Sequence, residues 1–195
     1  MTPPGQDTSG PSLALIEVAS IARGHRVADA MVKRAPVELL RCDPVSPGKL
    51  LVLVAGEVAS VDEAFRAGLE VAGDAALDKL FLPRAHDQLP AALRGEARAG
   101  EGEQRHDIGA LGIVETRTVA ATILSADAAV KAALVRLIEM QLARGIGGKA
   151  YFVVTGALDE VEASVEAAVG AVDAAVVYAT EIIAAPHADL VGRLR

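Results

Sequence analysis

The sequence predicts an α+β protein built as a tandem duplication of one ferredoxin-like β-α-β-β-α-β unit, unpermuted in both copies. Three observations predict it. Leu13–Leu39 aligns without a gap on Leu111–Leu137, matching Glu17 with Glu115, Ala28-Asp29-Ala30 with Ala126-Asp127-Ala128, and Val32-Lys33 with Val130-Lys131. Two residues are then inserted in the second copy, after which Gly48-Lys49 meets Gly148-Lys149 and Gly56 meets Gly156. Within each copy, short apolar runs of strand length alternate with stretches of helical spacing.

The elements follow in order. Leu13–Val18 is an apolar strand, and Val27–Ala35 is a helix with Val27, Met31 and Ala35 on one face. In the second copy Ser125 stands as the N-cap of the matching helix, Ala126–Ala133. Val37–Cys42 is a second strand, and a Pro/Gly loop leads to a third, Leu50–Ala55, broken by Gly56. Ser60 with Glu63 reads as a capping box opening helix Val61–Ala72. Leu77–Leu82 closes the unit. Later, Ala85-His86-Asp87-Gln88-Leu89 matches Pro186-His187-Ala188-Asp189-Leu190. Gly95–Asp107 is charged, Gly-rich and without periodicity, as a linker is. The domains are therefore residues 11–94 and 108–195, preceded by a Pro/Gly/Ser/Thr-rich tail, residues 1–10, expected to be disordered.

Composition narrows the function. Hydrophobic residues are 52% of the 195, but aromatics only 3%, so Ala, Val and Leu fill thin, closely approached layers. A net charge of −7 and pI near 5.1 argue against general nucleic-acid binding, leaving room only for a local basic patch. Cys42 is the only cysteine, which excludes an intramolecular disulfide and any multi-Cys metal site from one chain. The first twelve residues lack the basic and apolar regions of a signal peptide, and runs such as Leu50–Gly56 are too short to span a bilayer. A soluble cytoplasmic protein with no membrane partner is expected.

No chemistry of catalysis emerges. Arg144-Gly145-Ile146-Gly147-Gly148-Lys149 fails as a phosphate loop, because Ala143 replaces the first glycine and Ala150 the Ser/Thr that would hold magnesium. As a dinucleotide fingerprint it is followed by the strand-like Tyr151-Phe152-Val153-Val154, where a helix N-terminus is required. Among His25, His86, His106 and His187, none has a metal-ligand partner at helical spacing. His86 and His187 are repeat-equivalent, which fits a duplicated site or, more simply, a hydrogen-bonded structural histidine near a chain turn. Cys42 is most simply a small core residue.

Taken together, Leu111-Gly112-Ile113-Val114-Glu115-Thr116, Ala126–Ala133, Gly145-Ile146-Gly147-Gly148-Lys149 and Pro186-His187 resemble the bacterial microcompartment shell domain. Two copies in one chain resemble the tandem-domain, trimer-forming class, and within it the propanediol-utilisation type. The resemblance spans Leu13 to Leu194 and implies a structural shell protein, not an enzyme. It implies a homotrimeric, pseudohexameric disc that tiles with other hexameric, trimeric and pentameric shell proteins around an enzyme core in the cytoplasm. It further implies that Val45, Ser46, Pro47 and Gly48 form one pore loop, and Arg144, Gly145, Ile146, Gly147 and Gly148 the other. In the propanediol-type relative a Cys at the position of Ser46 holds an iron–sulfur cluster. Ser46 has no thiolate to offer, so no cofactor and no metal are expected, and the pore is open to small polar or anionic metabolites. Lys33 and Lys131 match the family's edge lysine, Arg84 an edge arginine replaced by Ala185 in the second copy, and His86 and His187 flank the same edge. Without the resemblance, Asp29–Lys33 and Asp127–Lys131 are ordinary i,i+4 pairs, and the loops are tight turns. The alternative is a tandem ferredoxin-like regulatory protein that binds a metabolite at the glycine loop.

Overall fold

The computed structural model describes residues 10–96 and 108–194. The first copy runs β1 (Ser12–Val18), α1 (Ile21–Arg34), β2 (Glu38–Val45), β3 (Lys49–Gly56), α2 (Val58–Ala72), β4 (Ala76–Leu82) and α3 (Gln88–Arg94). The second runs β5 (Ala110–Thr116), α4 (Val119–Ala132), β6 (Arg136–Leu142), β7 (Ala150–Gly156), α5 (Leu158–Gly170), β8 (Val177–Ile183) and α6 (Ala188–Val191). Each copy forms one antiparallel sheet, ordered β2-β3-β1-β4 and β6-β7-β5-β8. The expected β-α-β-β-α-β order is therefore present twice. The tail, residues 1–9, and most of the expected linker, residues 97–107, lie outside the described residues.

All seven residues of β1 are buried, including both its odd and even positions. The two faces have different covers. On one, Ala14, Ile16, Val52 and Val54 pack beneath α1 and α2 with Val27, Met31 and Val61. On the other, Leu13, Leu15, Leu51, Leu53, Leu80 and Leu82 join Leu89 and Leu93 of α3. That second cluster continues without a break into Val119, Ile123 and Phe152 of the second copy. The two copies share this cluster, while the helix-side cluster is the first copy's own. With few aromatics available, helices come close: a Cβ on Gly68 of α2 would lie 2.7 Å from Ile16 Cδ1 and Met31 Cγ.

The structure corrects several expected details. α1 begins at Ile21, where Ser20 accepts a hydrogen bond from Arg23 N, and α4 begins at Val119, where Thr118 accepts one from Ala121 N. Ser125 is no N-cap but a fully buried residue in the middle of α4. Ser60 likewise lies inside α2, whose N-cap position is Glu57. The first turns of α1 carry Arg23, Gly24, His25 and Arg26, so the apolar spacing becomes visible only at Val27 and hides the true start. Strand β2 extends to Val45, which puts Cys42 inside the strand rather than at its end. The short helices α3 and α6 were not anticipated. α3 ends at Gly95, a left-handed C-cap whose N–H bonds back to Ala91 O and Ala92 O.

Candidate functional site

The two loops singled out in the sequence join edge strands to their neighbours and lie against each other. Ser46 N donates to Ala143 O at 3.1 Å. A Cβ on Gly148 would sit 3.2 Å from Ser46 O, so glycine allows this close approach. Val45 is turned into the core as the last residue of β2, leaving Ser46, Pro47 and Gly48 to form the first turn. In the second loop Gly145 (φ 75°) and Gly147 (φ 67°) are left-handed with open space around them, which leaves backbone conformation as the reason for glycine. Arg144, Gly145 and Gly147 are exposed, Ile146 is half-buried and Gly148 is buried. Gln141 Nε2 donates to Arg144 O at 3.1 Å and Lys149 N to Ile146 O at 3.3 Å, tying the loop to its base. Cys42 packs with the helix-side core, its Sγ 3.7 Å from His25 Nδ1. Burial, and then the Asp43 carboxylate, push the thiol above its ordinary range.

A second constellation joins the copies. Glu17, on β1, pairs with Lys49 of β3, and both side chains are buried. Its other oxygen accepts from Val119 N at 2.9 Å and Ala120 N at 3.1 Å, so a carboxylate of the first copy caps the N-terminus of α4 in the second. Gln88, the first residue of α3, clamps the start of β6 with both ends of its amide. Nε2 donates to Val135 O at 3.0 Å, and Oε1 accepts from Leu137 N at 2.7 Å. Asp127 of α4 accepts from His86 N at 2.7 Å and pairs with Lys131 at 2.5 Å. Lys131 Nζ also donates to Arg84 O at 2.6 Å.

The expected edge residues thus separate. Arg84, through its carbonyl, His86 and Lys131 meet on the seam between the copies. Lys33 stays on exposed α1 with its own Asp29 at 2.7 Å, and His187 is exposed beside Asp189. The second copy's counterpart of the Glu17–Lys49 pair is Glu115–Lys149, more open, with Lys149 Nζ 3.9 Å above the Tyr178 ring. A hydrogen bond to Glu115 raises the Lys149 ammonium above its ordinary pKa. Sequence reasoning missed the roles of Glu17, Lys49 and Gln88. The available signal was one carboxylate and one lysine, each inside an apolar strand or at its start, and repeated in both copies.

The BMC domain family matches this chain twice, over residues 12–85 and 110–186. The chain belongs to the bacterial microcompartment shell protein family. The shell protein is 40% identical over 157 residues to bacterial microcompartment shell protein PduT of Citrobacter freundii, covering 80% of this chain and 82% of that one. It is 34% identical over 90 residues to carboxysome shell protein CsoS1 of Prochlorococcus marinus, covering 45% of this chain and 87% of CsoS1, as one copy of a duplication would. The crystal structure of a microcompartment protein from Desulfitobacterium hafniense superposes with a TM-score of 0.84 at 40% identity, covering 92% of this shell protein and 97% of that chain. The relatives are shell proteins, which leaves the regulatory alternative without support. Among the described residues no helix is long and apolar enough to cross a membrane.

Proposed function

We propose that three copies of this shell protein close into a ring of six domains, which tiles into a microcompartment facet and passes small polar or anionic metabolites through its axis. One observation carries the ring. Five positions of α4 are buried against the first copy: Val119, Ala120, Ile123, Asp127 and Val130, at 0%, 5%, 0%, 4% and 5% exposure. The repeat places Ile21, Ala22, His25, Asp29 and Val32 at the same positions of α1, and all five are exposed, Ile21 at 41% and Val32 at 40%. Likewise Leu15 and Leu51 are buried in the cluster that spans both copies, whereas their counterparts Ile113 and Tyr151 are only partly covered. Each chain therefore uses one half-contact internally and presents the matching halves outward. Such a head-to-tail contact repeats until it closes, and three two-domain chains supply the six domains of the family's disc.

In that ring the adjoining loops Ser46–Gly48 and Arg144–Gly148 gather around the axis, with three Arg144 side chains at the rim. Their positive charge favours anions in an otherwise acidic protein. The Ser46 hydroxyl is a poor iron ligand and Cys42 is held among the helices, so the reading includes no iron–sulfur cluster. The protein acts as wall and conduit rather than catalyst. Lys131, Arg84 and His86 meet at the internal seam, and their counterparts Lys33, beside Asp29, and His187 stand at the corresponding outward seam; contact between discs is read at the same five residues.

Electron microscopy of the purified protein tests the assignment: hexagonally packed sheets of threefold discs are expected, and isolated particles without a lattice would overturn it. Exchanging Arg144 for Glu should lower anion passage through reconstituted shells, and unchanged passage removes the electrostatic part.

A further inference from the structure

The internal contact and its outward counterpart differ chemically at the clamp formed by Gln88. The local hydrogen bonds fix which residue corresponds to it. Gln88 N donates to His86 Nδ1 at 3.3 Å, as Asp189 N does to His187 Nδ1 at 3.2 Å. Leu89 N bonds to His86 O and Leu190 N to His187 O, both at 3.0 Å. Asp189 therefore stands where Gln88 stands. The strand that Gln88 grips has its own counterpart: Val135 and Leu137 correspond to Val37 and Leu39, at the start of edge strand β2. Leu137 is 4% exposed under the clamp, whereas Leu39 is 40% exposed.

The two side chains cannot bond alike. Gln88 gives a proton to one carbonyl and accepts one from an amide. A carboxylate only accepts, and Asp189 is one methylene shorter. It can take the Leu39 N–H of a neighbouring chain, but it faces the Val37 carbonyl with no proton to give.

Resting on the ring reading above, we propose that the surface of Ile21, His25, Asp29, Val32 and Leu39 docks a second copy of this chain through its Asp189 edge, and that Asp189 limits the affinity. The ring then opens between chains before the copies within a chain separate. One neutral hydrogen bond restored is worth about fivefold in the equilibrium constant of a seam. Releasing one chain from a closed trimer breaks two seams, so the effect compounds to roughly 25-fold.

The test is chain exchange between two dye-labelled populations of the full-length protein, followed by energy transfer, with sedimentation to count chains. Asp189→Gln should slow exchange by roughly 25-fold relative to the unaltered protein. Asp189→Ala, which removes the acceptor for the Leu39 N–H and adds no donor for the Val37 carbonyl, should not slow it. Trimers that exchange equally fast or faster with Asp189→Gln overturn the role of Asp189 and leave the ring standing. Monomers in both preparations overturn the ring reading itself.

Discussion

Replacing Glu17 with Ala isolates the contact on which the two copies depend. The Glu17 side chain is 1% exposed and that of Lys49 10%, so removal strands an ammonium in the core and takes away the acceptor of the Val119 and Ala120 amides. Removing one partner of a buried pair costs about 3–5 kcal/mol. In a protein of this length each kcal/mol moves the melting midpoint by about 2–4 °C, so Glu17→Ala should lower it by roughly 6–20 °C. The assay is calorimetry at fixed protein concentration, because assembly adds a mass-action term to stability. Asp62→Ala is the control. It breaks the exposed Arg66–Asp62 pair at 2.7 Å and should cost no more than about 1 kcal/mol. The double exchange Glu17→Ala with Lys49→Met should recover part of the loss, since no charge is then left buried. A Glu17→Ala midpoint within 2 °C or so of the Asp62→Ala midpoint would refute the reasoning.

Four further outcomes follow from the same structure. Gly68→Ala should destabilise by about 1–3 kcal/mol in chemical unfolding, because its methyl would press on Ile16 of β1 and Met31 of α1. Cys42 should react slowly with iodoacetamide, its pH–rate midpoint lying above that of an ordinary thiol, since burial and Asp43 favour the neutral form. The sign follows: stability from that raised pKa is present at lower pH and is lost as pH rises through the folded-state value. Lys33→Ala should abolish ordered sheets in micrographs and, because Lys33 is the repeat counterpart of the seam residue Lys131, also speed exchange of chains between trimers. Lys131→Ala should also lower the melting midpoint, because Lys131 ties Asp127 to the Arg84 carbonyl.

Much of the fold was legible because its signals are local and repeated. The duplication, the order of helices and strands along the chain and the positions of the glycine loops follow from residue type and spacing. Helix starts were misplaced for the same reason. A polar first turn such as Ser20–Arg26 carries little apolar periodicity, and Ser60 and Ser125 resemble caps when neighbouring residues alone are weighed. The candidate site was partly legible: the loops were placed, but the seam was not, since Gln88 meets Val135 and Leu137 only after both copies have folded.

The sequence by itself determined that the chain holds two like domains, that their cores are aliphatic, and that a single cysteine excludes a disulfide within the chain. It did not determine which of two equivalent positions would be buried. Ile123 and His25 occupy the same place in the repeat, yet one lies in the shared core and the other is exposed. Only the packing of the second copy on the sheet of the first decides that. One chain has two copies to join and can make a single internal contact, so its remaining halves face outward.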